Sequence, residues 1–141
     1  MKKLIMPALF AAIAFSACGQ KLDASKVPAA VKATFAKQYP GVTANWEKED
    51  GKYEASFKQG ANDQSAMFEP NGTFTESEME MKVADLPATV VAYMKAHYKS
   101  KPIKGAAKIT KADGSINYEA ALGGKDVLFD ANGNFLKEAK D

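Results

Sequence analysis

Apolar residues recur at every fourth position in two places along this chain. Val27, Val31, Phe35 and Tyr39 form one series, and Leu86, Val90, Met94 and Tyr98 form the other. That spacing lays a single apolar stripe along a helix, so each series predicts an amphipathic α-helix. Each opens on an apolar-proline pair, Val27-Pro28 or Leu86-Pro87. Proline is tolerated there because first-turn N–H groups have no intrahelical acceptor. Ser25 and Asp85 stand where N-caps are expected. Tyr39-Pro40-Gly41 and Lys101-Pro102 then stop the two helices.

Past each helix the period drops to two, the mark of a half-buried strand. Val42, Ala44 and Trp46 alternate with polar neighbours, and so do Tyr53, Ala55 and Phe57 across Asp50-Gly51. A third strand ends near Phe68, and Asn71-Gly72 turns it into a fourth that holds Phe74. Asp-Gly and Asn-Gly predict tight type I′ hairpins, because both residues tolerate positive φ. The acidic run Thr75–Glu80 reads as a solvated edge segment, with Met79 and Met81 starting the link into the second helix.

The pattern occurs twice. Val27-Pro28 and Tyr39 match Leu86-Pro87 and Tyr98 at a shift of 59, and Asp50-Gly51 matches Asp113-Gly114 at 63. Tyr53-Glu54-Ala55 matches Tyr118-Glu119-Ala120 at 65, and Phe68 and Phe74 match Phe129 and Phe135 at 61. The shift changes only where Gly, Lys, Asn and Asp cluster, which is where loops absorb insertions. The expected fold is α+β. Two tandem repeats, residues 25–82 and 83–141, each give a helix and a four-stranded antiparallel meander. They join into one sheet with both helices on one face, in one compact domain.

The N-terminus adds a destination. Lys2 and Lys3, a short apolar run and Ser16-Ala17-Cys18-Gly19 have the order of a secretory signal over residues 1–17. Cys18, the only cysteine, sits where a lipobox places its lipidated residue, so residues 18–24 read as a lipidated tether. Loss of residues 1–17 removes Lys2 and Lys3 and leaves seventeen lysines against seventeen acids. All basic residues are lysine, so the planar arginine fork used in phosphate and base recognition is missing. Nucleic acid is therefore not an expected partner.

The tandem helix–meander unit, its Val-Pro or Leu-Pro start, Tyr-Pro-Gly stop, Tyr-Glu-Ala strand and Phe-Asp-x-Asn-Gly hairpin together resemble the PepSY-like family. That family's fold is related to the β-lactamase inhibitory protein. The resemblance covers about residues 25–138. It implies an exported protein whose curved sheet grips a partner by its helix-free face, in the style of the inhibitor, or restrains a protease, as related PepSY domains are suspected to do.

Candidate chemistry is sparse. His97, the only histidine, has no cysteine or second histidine at a ligand spacing. Asp130-x-Asn132-x-Asn134 imitates the start of a calcium loop, but Phe135 fills the slot that needs glycine. Neither a catalytic motif nor a cofactor or metal site is expected. The expected site is a protein-binding surface on the open sheet face, made of Asn45, Glu47, Glu54, Met67, Lys108, Glu119 and Leu128. Met67 and Leu128 are expected as exposed apolar residues within it. The expected partner is an unidentified exported protein, with a hydrolase or protease as the candidate kind, and the lipid holds the chain in the periplasm or at the outer membrane. The rival expectation is an envelope protein for a small ligand or cation, held at the Asn-Gly hairpins.

Overall fold

The computed structural model describes residues 20–140. The expected signal at 1–17 and the expected lipidation at Cys18 lie outside the described residues. In order, the elements are β1 (Gln20–Leu22), α1 (Ala29–Gln38), β2 (Asn45–Glu49), β3 (Lys52–Gln59), β4 (Asn62–Phe68), β5 (Phe74–Met81), α2 (Ala88–His97), β6 (Gly105–Lys111), β7 (Ile116–Ala121), β8 (Asp126–Asp130) and β9 (Phe135–Ala139). The strands pair in that same order, each antiparallel to the next, in one nine-stranded sheet. The fold is thus α+β, two helices with one open antiparallel sheet.

Both helices begin one residue later than a proline-first start would give. Pro28 and Pro87 keep extended ψ values of 142° and 140° and occupy the cap position themselves. Val27 and Leu86 are held extended by the proline that follows. Ser25 and Asp85 are therefore not helix caps. They lie in the short 3₁₀ turns Ala24–Lys26 and Val83–Asp85, and the Ser25 N–H donates to Asp23 Oδ1 at 2.8 Å.

Four strands follow each helix, as the alternation predicts, but two further strand assignments change. Gln20–Leu22 do not form a free tether: they pair with Trp46–Lys48 as the sheet's first edge strand. Thr75–Glu80 are not at an edge either. They form the middle of β5, paired on one side to β4 and on the other to β6. The charged pattern resembled an edge, and only the joining of two meanders makes that edge internal.

The hairpins sit where expected, with a different turn at three of them. Asp50 and Gly51 take φ of 47° and 81°, as a type I′ turn requires. At Asn71-Gly72 and Asn132-Gly133 only the glycine has positive φ. There the Gly72 N–H donates to the Glu69 carbonyl at 2.8 Å, and the Gly133 N–H to the Asp130 carbonyl at 3.0 Å. The pairing register shifts nearby, between Met67 and Phe68 and between Leu128 and Phe129. This is a type I turn ended by a left-handed glycine with a bulge, and Pro70 suits its second position. Asp113-Gly114 likewise has only its glycine at positive φ.

Two apolar clusters hold the helices to the sheet. Val31 and Phe35 of α1 pack with Trp46, Ala55, Phe57 and Phe68. Val90 and Met94 of α2 pack with Ala106, Ala120, Val127 and Phe129. Each glycine-ended hairpin also lies against the first turn of a helix. A Cβ built on Gly72 would stand 2.7 Å from the Ala30 carbonyl oxygen, and one on Gly133 would stand 2.7 Å from Thr89 Cβ. Thr89 Oγ1 donates to the Asn132 carbonyl at 3.1 Å.

Candidate interaction face

Side chains alternate across a strand, so paired residues in neighbouring strands share a side of the sheet. One cross-strand row runs Trp46, Ala55, Ala66, Ser77, Thr110, Ile116 and carries core residues of the first cluster. The opposite side shows rows of another character. Glu47, Glu54, Met67, Glu76 and Lys111 form one. Asn45, Ser56, Ser65, Glu78, Ile109, Asn117 and Asp130 form the next. Glu80, Ala107, Glu119, Leu128 and Lys137 form the third.

Six of the expected face residues, Asn45, Glu47, Glu54, Met67, Glu119 and Leu128, fall in these rows. Lys108 does not. It pairs with Met79 and Tyr118, in the side that carries the second cluster, while Ile109 takes the opposite side with Glu78 and Asn117. The phase of β6 is set by Ala106 packing under α2, and one residue of phase moves a whole strand's side chains across the sheet. Apolar Ile109 had the appearance of a core position and hid that phase. Leu128 is also not an exposed apolar residue. It is 2 % exposed, whereas Met67 is half-buried.

What the sequence reading missed is the density of carboxylates in these rows. Glu54, Glu78, Glu119 and Asp126 are all buried, and Asp126 is on the same side, paired to Ala121. Burial pushes the Glu78 carboxyl well above its ordinary value of 4.5, and the charges of Glu119, Glu54, Asp126 and Glu76 push the same way. Glu54 is raised chiefly by burial, against the opposing effect of a hydrogen bond from Ser65. The side's cations are partly committed, with Lys111 paired to Glu76 and Lys58 to Asp63, the latter at 2.9 Å. The signal available in sequence was the period-two acidic run Glu76, Glu78, Glu80, read there as solvent exposure.

A carboxyl raised in the folded protein holds its proton more tightly than in the unfolded chain. Its contribution is most favourable below about pH 4.5 and is lost as pH rises through the folded pKa. Glu78→Gln is therefore expected to melt above the native protein at pH 8, by on the order of 5 °C, and to melt nearly with it at pH 4. Thermal melts at the two pH values check this. A gap that does not change with pH would assign the effect to packing instead of to charge.

Elsewhere the candidates resolve as structure. The His97 ring stacks on Tyr93 with centroids 3.9 Å apart, and its Nδ1 lies 3.0 Å from the Tyr93 carbonyl. In the Asp130 hairpin, the carboxylate accepts from the Asn132 N–H, the Asn134 N–H and Asn134 Nδ2, each at 2.9 Å. Those contacts lower its pKa, the Asn134 hydrogen bond most. The loop's acidic residue is thus taken up by its own turn. Among the described residues, no group of three or more His, Cys, Asp or Glu is arranged to hold a metal ion.

The whole arrangement has relatives. The sequence profile described as "Putative beta-lactamase-inhibitor-like, PepSY-like" matches residues 15–74 and again 51–137, and the chain belongs to this PepSY-like family. Solved structures share its fold. A protein from Bacteroides eggerthii described as a putative periplasmic protein is 17% identical with a TM-score of 0.73, over 81% of this chain and 88% of that one. A DUF2874 family protein from Bacteroides ovatus is 19% identical with a TM-score of 0.67, over 80% and 86%. A BLIP-like protein from Bacteroides fragilis is 22% identical with a TM-score of 0.62, over 80% and 86%. No curated protein matches the chain.

Proposed function

We propose that this is a non-catalytic protein of the bacterial envelope that binds a partner protein across the helix-free side of its sheet. The observation that carries this reading is the segregation just described. Both helix-packed clusters use one set of cross-strand rows, and the other set gathers half-buried Met67, buried Ile109 and Leu128, and the buried carboxylates. Ser77, Met79 and Met81 of β5 link the two clusters' rows, since Ser77 pairs with Ala66 and Met81 with Ala106. That continuity supports both helices lying on one side of the sheet. The equivalent approaches of Gly72 to α1 and Gly133 to α2 support a tandem duplication.

The signal-like N-terminus and the description of the Bacteroides eggerthii structure as periplasmic support export, with Cys18 as the lipid tether. The family description and the BLIP-like neighbour support an inhibitory style of action, in which docking occludes an exported hydrolase or protease. A photo-crosslinking residue at Met67 is expected to trap one envelope protein, and the same residue at Lys37, exposed on α1, to trap none. Adducts from Lys37 alone would overturn the reading.

The rival reading, a cation held at the Asn-Gly hairpins, is weakened by the self-satisfied Asp130 turn. A native-state ligand must stabilise the protein it binds. Calcium chloride is accordingly expected to leave the melting temperature unchanged to within about 1 °C, and a clear upward shift would restore that reading.

A further inference from the structure

The nature of the partner's contact surface can be read from the same side of the sheet. We propose that the partner presents a cationic segment, and that one of its lysine or arginine side chains seats against Glu78 on β5, between Glu54 on β3 and Glu119 on β7. This rests on the docking reading above and deepens it.

Charge segregation is the first ground. Among the acidic residues on the strands, only Glu138 lies in the core-side rows, paired to Val127. Every other one lies on the helix-free side. The second ground is Glu78 itself. It is 9 % exposed, and among the described residues its side chain makes no hydrogen bond or ion pair. A buried carboxylate ordinarily has a cation or several donors, because losing water without replacement is costly. The charges that face Glu78 are Glu54 on β3, Glu76 on its own strand, Glu119 on β7 and Asp126 on β8, with the cation of Lys111 on β6 held by Glu76. The field that these four acidic groups set up at Glu78 is therefore negative.

The layout favours a polypeptide over a single ion. Glu54, Glu78 and Glu119 sit on alternate strands, β3, β5 and β7. Neighbouring strands lie about 4.8 Å apart, so these carboxylates are spaced for a chain crossing the strands. Half-buried Met67, in the same row as Glu54, suits the aliphatic stem of a lysine or arginine whose head would reach Glu54 and Glu78. Charge-assisted contacts of this kind are the strong ones, and they set partner choice and association rate.

The test is a titration of hexalysine into the purified protein at low salt, followed by calorimetry and amide chemical shifts. Hexaglutamate and calcium chloride serve as comparison probes, and Glu78→Gln and Glu69→Gln as variants. Glu69 lies in a hairpin outside these rows, so its variant controls for loss of one negative charge. Expected results are hexalysine shifts concentrated in β3–β7, about tenfold weaker binding in Glu78→Gln, unchanged binding in Glu69→Gln, and weakening with added salt. Equal affinity in Glu78→Gln, or the same shifts from calcium chloride without a response to hexalysine, would overturn the proposal. The Met67 crosslink separates the two failures. A partner trapped at Met67 whose yield ignores Glu78→Gln leaves the docking face standing and removes the cationic segment. No adduct from Met67 removes both.

Discussion

Gly72→Ala is expected to destabilise the protein by about 3 kcal/mol and to lower its melting temperature by about 10 °C. Two effects add. Gly72 has φ of +89°, where an L side chain is strained by about 1–2 kcal/mol. The new Cβ would also meet the Ala30 carbonyl oxygen at 2.7 Å and its carbon at 2.8 Å. Both atoms are backbone of the first turn of α1, so neither can swing aside as a flexible side chain would. The hairpin or the helix must shift, and Phe68 and Phe35, packed behind them, shift too. Gly114→Ala is the matched control: φ is +84°, with nothing within 4 Å of the added carbon. It is expected to cost about 1 kcal/mol, the backbone strain alone. Thermal melts of both variants check the difference. Equal losses would mean that the hairpin does not rest on the helix.

That contact gives a physical reason for the aromatic–acidic–x-Asn-Gly–x–aromatic stretch, which the sequence shows at both 68–74 and 129–135. The motif combines a turn, a left-handed glycine and an aromatic on either side. Its demands fall on consecutive residues, and local demands are what a sequence displays. The helices and most strands were legible for the same reason, since the periods of four and two are local. The turn type was not, because choosing between a type I′ turn and a bulged type I turn depends on the register of the strands it joins.

The site was less legible because it depends on distant pairings. Glu54 and Glu119 gave no sign of meeting, and β5 brings them into one electrostatic neighbourhood only by joining β4 to β6. Lys108, expected on the open face, falls on the other side because Ala106 packs in the second cluster, and apolar Ile109 lies on the carboxylate side. β5 and β6 depart from the simple apolar-in, polar-out pattern, since buried Glu78 and buried Ile109 are cross-strand partners on one side of the sheet.

Phe68→Ala should have the larger effect, about 4 kcal/mol, and its distribution tests how the molecule holds together. Phe68 is fully buried. Its ring centroid lies 6.3 Å from Phe35, 6.4 Å from Trp46 and 5.8 Å from Phe74, so it joins α1, β2 and β5. Truncation removes those contacts and leaves a cavity ringed by aromatics that cannot easily collapse. The second core, around Val90, Met94 and Val127, is a separate cluster, joined to the first through the sheet. The joint is strong: β5 and β6 pair without a register break from Glu76–Lys111 to Met81–Ala106. If that pairing makes one cooperative unit, damage to the first core must appear equally in the second. Amide hydrogen exchange of Ala120 and Val127 in Phe68→Ala should then accelerate about 1,000-fold, as much as that of Ala55 and Ala66, which is 4 kcal/mol converted at 25 °C. Exchange that quickens in β3 and β4 but not in β7 and β8 would show two units that melt separately. In that case the side of the sheet that carries Glu54, Glu78 and Glu119 would span a flexible joint, and a partner binding there would have to stiffen it at a cost to its own affinity.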